Sequence, residues 1–231
     1  MLRVPTALFA GLALAVALPA FAGEPKTDDE KAFYSFGFNL SQQLSMLNLT
    51  PAEFEQVKAG LSDGVLKATP KADVKTFYPK FQALARDRVV ANAAAEKKLG
   101  QDFLEKAAKE KGATKTTSGI IIQTIKEGTG EKPQATDKVK VHYTGTLIDG
   151  TVFDSSVQRN APATFPLNGV VKCWTEGLQQ IKVAGKAKLI CPSELAYGDQ
   201  GRPPQIKPGA TLVFEVELLE IVKDTPKEPA K

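Results

Sequence analysis

Five aromatic side chains in the second half of the chain, Tyr143, Phe153, Trp174, Tyr197 and Phe214, stand among small and branched apolar residues. No nucleophile paired with a base accompanies them. On spacing alone such aromatics are ordinary core, and the chemistry open to them is that of an apolar surface rather than bond cleavage. The chain holds one histidine, His142, and two cysteines, Cys173 and Cys191. That set cannot furnish a zinc ribbon, a cluster site or a His-rich cage, so no metal and no cofactor is expected. Lys and Arg number 30 against 26 Asp and Glu, a formal charge of +4. The charges are too evenly mixed for a nucleic-acid footprint.

The elements that must position these residues fall into two halves. A chain of 231 residues with 42% apolar content can bury one large core or two modest ones. Residues 1–22 have the three parts of a secretory signal: a basic start at Arg3, an apolar run from Ala7 to Leu18, and a small-x-small end at Ala20-Phe21-Ala22. The run is short of the ~20 apolar residues a span requires. Removal after Ala22 predicts a mature protein with no membrane span, in an oxidising compartment, with the periplasm the leading address. Residues 225–231 alternate Pro, Lys and Glu and read as a disordered tail.

From Asp28 to about Gly112 the composition is helical. Ala32, Phe36, Phe38, Leu40 and Leu44 approximate an amphipathic stripe, which Gly37 weakens. Thr50-Pro51-Ala52-Glu53 supplies a capping hydroxyl, a proline at the first helical position and a carboxylate three residues after the cap; the helix it opens should run to about Lys67. Pro70 and Pro79 bound a connecting piece, and one long helix follows over residues 80–112, with Gly100 a candidate hinge. Its second half carries few large apolar groups, so a solvent-exposed arm is preferred to a helix lying across a compact body. The helices before the arm are too small to be stable alone. Oligomerisation would stabilise them, so residues 23 to about 90 are expected to form a homodimer.

At Thr114 the pattern turns to strands. Val139, Val141 and Tyr143 alternate with Lys138, Lys140 and His142, the period of a half-buried strand, so His142 points away from the Tyr143 face toward solvent. Asp149-Gly150 marks a hairpin turn into Val152-Phe153, Ala187–Cys191 and Leu212–Val222 read as further strands, and only Lys172–Ile181 looks helical. Strands with one short helix make an α+β layer.

Five strings occur in order: Val141-His142-Tyr143-Thr144-Gly145, Asp149-Gly150-Thr151-Val152-Phe153-Asp154-Ser155-Ser156, Trp174-Thr175-Glu176-Gly177-Leu178, Leu195-Ala196-Tyr197-Gly198, and Ala210-Thr211-Leu212-Val213-Phe214-Glu215-Val216-Glu217-Leu218. The series resembles the FKBP-type peptidyl-prolyl cis-trans isomerases over residues 113–224. The signal, the helical segment and the long helix resemble that family's two-domain secreted branch, of the macrophage infectivity potentiator and FkpA type. The resemblance implies an N-terminal all-helical dimerisation domain, residues 23–112, and a C-terminal five-stranded antiparallel sheet wrapped around the Trp174 helix. It implies an isomerase acting on proline-containing, unfolded or partly folded polypeptides in the periplasm, at the outer membrane or outside the cell. A non-enzymatic holdase whose helical half cradles apolar segments is the alternative.

On the same resemblance Trp174 is the floor of a pocket. Tyr143, Phe153, Val170, Val171, Ile206 and Phe214 correspond to its lining, Asp154 and Tyr197 to its polar contacts, and the Val171 N–H to a donor. Arg159 matches a residue that holds the aspartate, and Gly201–Pro208 matches a flap over the mouth. Two departures stand out: Lys172-Cys173 replaces the branch's Pro-Gly before the tryptophan, and Arg202 and Gln205 occupy flap positions that are aromatic and aliphatic in small cytosolic members. The first bears on how the helix is entered, the second on binding of the family's macrolide inhibitors. The resemblance also packs the Cys191 strand near the Trp174 helix, within reach of a disulfide to Cys173; two buried thiols are the alternative.

Overall fold

The computed structural model describes residues 23–222; the expected signal segment and the tail at 225–231 lie outside them. The chain divides into two compact units at Leu40 and Ser41. The first consists of most of α1 (Asp28–Leu44). Thr27 and Glu30 open this helix reciprocally: Glu30 accepts the Thr27 N–H at 2.9 Å, and the Thr27 hydroxyl accepts the Glu30 N–H at 3.2 Å. Gly37 does not interrupt it.

In the second unit, α2 (Pro51–Val65) has Thr50 as N-cap with both arms of the capping box formed to Glu53. The long helix α3 runs from Val74 to Ala107, 34 residues, or about 51 Å. It starts earlier than expected because the Asp73 side chain caps it, accepting the Lys75 N–H at 3.1 Å, so Pro79 lies inside the helix and bounds nothing. α2 and the 3-10 turn before it are tied to α3: Arg88 donates to the Glu53 carboxylate and to Leu47 O, and Asn92 to Met46 O at 2.9 Å.

The sheet comprises β1 (Ala113–Lys115), β2 (Ile121–Lys126), β3 (Lys138–Leu147), β4 (Val152–Ser155), β5 (Ala163–Pro166), β6 (Lys186–Cys191) and β7 (Leu212–Val222), all antiparallel, in the order β1-β2-β6-β7-β3-β4 with β5 also on β3. The five strands of the expectation are β2, β3, the interrupted pair β4 and β5, β6 and β7; β1 is a short addition. α4 (Lys172–Leu178) packs on one face, where Trp174, Leu178, Leu189, Val139, Val141 and Val216 form the core.

The expectation of a free arm is overturned for the second half of α3. Ala93, Gly100 and Ala107, seven residues apart, are buried. Strand alternation sends Ile121 and Ile190 to the face opposite Trp174, and Ala107 packs there with Phe103, Leu104 and Ala108 alongside. Small side chains let the helix lie close, so it needs no thick apolar stripe. Gly100 is no hinge: it sits within an unbroken helix against Thr211. His142 is likewise more sheltered than expected, half-buried with Nδ1 3.1 Å from the Ser156 hydroxyl.

Candidate active site

A cavity of about 560 Å³ opens between α4, the sheet and the loop before β7, lined by Tyr143, Phe153, Asp154, Phe165, Gly169, Val170, Val171, Trp174, Tyr197, Arg202, Gln205, Ile206 and Phe214. Trp174 is in the first turn of α4, and three rings stand edge-on to it: Tyr143 at 5.1 Å, Phe214 at 5.3 Å and Phe165 at 5.5 Å between centroids. T-shaped contacts of this kind put a positive ring edge against a negative face and resist rotation of each ring. Trp174 is 4% exposed, and its Nε1 has no hydrogen-bond partner among the described residues.

Register places the walls. Tyr143 and Gly145 on β3 pair with Val216 and Phe214 on β7, and Gly145 also pairs with Asp154 on β4. A Cβ on Gly145 would lie 2.5 Å from the Phe153 ring and 3.0 Å from the Phe214 ring, so glycine is what lets those two rings meet edge to face at 5.6 Å.

One polar cluster interrupts the apolar wall. The Tyr143 hydroxyl and the Arg159 guanidinium each donate to the Asp154 carboxylate, and Arg159 also donates to the Tyr143 oxygen at 3.2 Å. Burial works to raise the Asp154 carboxyl, but the bonds from Tyr143 and Arg159 outweigh it and hold the group below the ordinary carboxylate range. Burial, with the bond to Asp154, pushes the Tyr143 phenol up. Arg159 itself stays outside the cavity lining.

At the mouth, Val171 is the N-cap of α4. Its carbonyl accepts from Trp174 and Thr175 at 2.9 and 3.2 Å, and its own N–H has no acceptor among the described residues. The helix begins at Lys172 even without proline there, because a residue at the first helical position has an orphan N–H in any case. Cys173 and Cys191 are joined, with Cα atoms 5.7 Å apart, so the substituted position ties α4 to the end of β6. The flap closes through Arg202 N–H to Ile206 O at 2.7 Å and Ile206 N–H to Arg202 O at 3.0 Å. Ile206 is 2% exposed and seals that side.

Every lining residue named from the sequence reaches this cavity. Phe165 and Gly169 were missed. Phe165 comes from β5, a four-residue strand whose only signal is Ala163 and Phe165 alternating ahead of Pro166.

Comparison with known proteins places this geometry. The family model for the FKBP-type peptidyl-prolyl cis-trans isomerase matches residues 129–219, and the model for the domain amino terminal to it matches residues 29–123. The FKBP-type 22 kDa peptidyl-prolyl cis-trans isomerase of Escherichia coli K12 is 43% identical, over 85% of this chain and 97% of its own length. The chain belongs to the FKBP-type peptidyl-prolyl cis-trans isomerases. E. coli FkpA is 38% identical over 93% of this chain and 85% of its own. The outer membrane protein MIP of Legionella longbeachae is 34% identical over 96% and 98%. The crystal structure of E. coli FkpA superposes with a TM-score of 0.66, at 38% identity, covering 85% of this chain and 97% of that one. The protein is thus a two-domain isomerase of the FkpA and MIP kind, with the helical region, long helix and antiparallel sheet that this implies.

Proposed function

We propose that the Trp174-floored cavity is where this isomerase turns the X-Pro bond, and that its substrates are proline-containing segments of unfolded or partly folded envelope and secreted proteins. The observation that carries this is the set of three rings standing edge-on around one indole, with a single ordered carboxylate in the wall.

The X-Pro bond resists rotation with a barrier of about 18–20 kcal/mol because resonance gives it double-bond character. No bond has to be broken. The twisted amide has less charge separation than the planar one, so an apolar enclosure favours it over the ground state, and only such differential binding speeds the reaction. Trp174 supports the proline ring. The Tyr197 hydroxyl and the Val171 N–H hold the flanking carbonyls and select a reactive geometry. Asp154, fixed from two sides, presents a constant negative edge to the carbonyl carbon of the rotating bond, while Phe153, Val170, Ile206 and Phe214 exclude water. Macrolide inhibitors of the family would compete for the same space, with Arg202 and Gln205 altering their contacts at the flap.

The helical half supports a second role. Phe33, Phe36 and Phe38 on α1 are 79%, 63% and 59% exposed, and Phe77, Tyr78, Phe81 and Leu84 on α3 are exposed as well. Aromatic surface of that extent is costly in water unless covered. A homodimer through these helices, which also offers apolar surface to chaperone clients, accounts for it; a holdase with a secondary isomerase site is the alternative. No helix among the described residues is long and apolar enough to cross a membrane. The periplasm is the proposed compartment.

A protease-coupled assay on a prolyl tetrapeptide tests the site. Tyr197→Phe and Asp154→Ala are expected to lower kcat/KM about tenfold or more, the scale of one hydrogen bond in an enclosed site. Unchanged turnover in both would remove the assignment. Aggregation suppression that survives in the inactive variants would place the chaperone role in the helices.

A further inference from the structure

Four of the cavity's lining residues, Tyr197, Arg202, Gln205 and Ile206, come from one segment between Ser193 and Thr211, and the second half of α3 lies against that segment. Part of the contact is backbone-close. Gly209, at φ +78°, approaches α3 so nearly that a Cβ would lie 2.3 Å from the Ala93 carbonyl oxygen. A Cβ on Gly100 would lie 2.1 Å from the Thr211 hydroxyl, and Thr211 is buried. Part is ionic. Lys207 Nζ is 3.2 Å from Glu96, while Lys97 Nζ is 2.5 Å from Asp199 and 3.7 Å from Glu194.

The base of the segment is connected to the pocket by hydrogen bonds. Gly209 N–H donates to Gly198 O at 2.9 Å, Gly198 N–H to Ser193 O at 2.8 Å, and Gly201 N–H to Tyr197 O at 3.1 Å. Loops of this kind are ordinarily the mobile parts of a fold. Here the loop is closed on itself, and α3 holds its base.

We propose that Glu96, Lys97 and Gly100 of α3 are positioning residues for the isomerase: docking of the helix on the Ser193–Thr211 segment orders Tyr197 and the flap before substrate arrives. None of the three lines the cavity. The inference rests on the isomerase reading and adds to it that the helical arm conditions the site. Its kinetic signature follows from where the ordering cost falls. A loosened segment must be ordered at each binding event, and that cost weighs equally on bound ground state and transition state, so KM rises while kcat holds. A variant that is merely less stable contains fewer active molecules, which lowers apparent kcat at unchanged KM.

The experiment uses the full chain. Kinetics on a prolyl tetrapeptide and amide hydrogen exchange over residues 193–211 are measured for Gly100→Leu, Glu96→Lys, Lys207→Glu and the Glu96→Lys/Lys207→Glu double variant. Gly100→Leu is expected to speed exchange in the segment and raise KM about threefold or more with kcat nearly constant. Each charge reversal is expected to raise KM about twofold, and the double variant to return toward the parent, since exposed ion pairs have effects of this size. Faster exchange at unchanged KM, unchanged exchange in Gly100→Leu, a fall confined to kcat, or a double variant no better than the single ones would each overturn the proposal. Should Gly100→Leu fail to fold, the charge reversals decide. A parent chain without isomerase activity would defeat the functional reading instead, while the exchange data would still report the docking.

Discussion

Asp154 lies under opposed influences, burial raising its carboxyl and two donors lowering it, and the lowering wins. Its ionised form therefore persists to lower pH than that of an unperturbed aspartate, and the acid loss of kcat/KM is expected to begin correspondingly lower. Arg159→Ala removes one of the two donors and leaves burial less opposed. The acid loss of activity should then move to higher pH, which a pH–rate profile of the two proteins checks; coincident profiles would mean that Asp154 ionisation has no part in turnover. Gly145 offers a test with no charge involved. Its Cβ would intrude on the rings of Phe153 and Phe214, so Gly145→Ala is expected to cost about 1–3 kcal/mol in stability, read by denaturant unfolding, and to lower kcat/KM by displacing the wall. Most of the site residues were legible because local strings carry them. Phe165 was not, because its claim to the site is its place beside Trp174, and four residues of β5 are too few for a periodic signal.

At the scale of elements, Glu53 is used twice: it completes the capping box of α2, and it accepts from Arg88 of α3. The Arg88 bonds, then those from Thr50, lower its carboxyl from 4.5 to about 2. A carboxyl lowered on folding contributes stability that is complete above the unfolded value near 4.5 and is lost as pH falls through the folded value near 2. Helical signal from the α2–α3 region should accordingly decline between those limits, and Arg88→Ala should reduce the slope of stability against pH across them; identical acid profiles would show that the pair contributes nothing. The start of α2 was readable from four residues because a cap is local. Pro79 misled, since a proline's effect depends on where the helix began, and Asp73 started it upstream.

For the whole molecule, the Cys173–Cys191 bond ties α4, and with it the pocket floor, to β6. Closing a loop of this size restricts the unfolded chain by about 3 kcal/mol on the chain-entropy estimate. The double variant Cys173→Ala/Cys191→Ala is expected to melt roughly 10 °C or more below the parent, as checked by calorimetry. The exposed aromatics of α1 and α3 predict a concentration-dependent dimer; light scattering that finds a monomer at micromolar concentration would exclude it.

Composition, capping strings and strand alternation by themselves determined a helical half, a sheet half and the aromatic set, because each is written in residues close along the chain. The position of α3 was decided only in three dimensions. Its thin row of large apolar groups argued for exposure, yet Ile120-Ile121-Ile122 was already a strand start with apolar side chains for both faces, and Ile121 had to be covered by something. Ala107 answers that need, while Ala93 and Gly100 lie against Gly209 and Thr211, and smallness becomes a packing signal only once those opposing groups are known. A close approach of two backbones depends on both surfaces at once, and a linear sequence shows them one at a time.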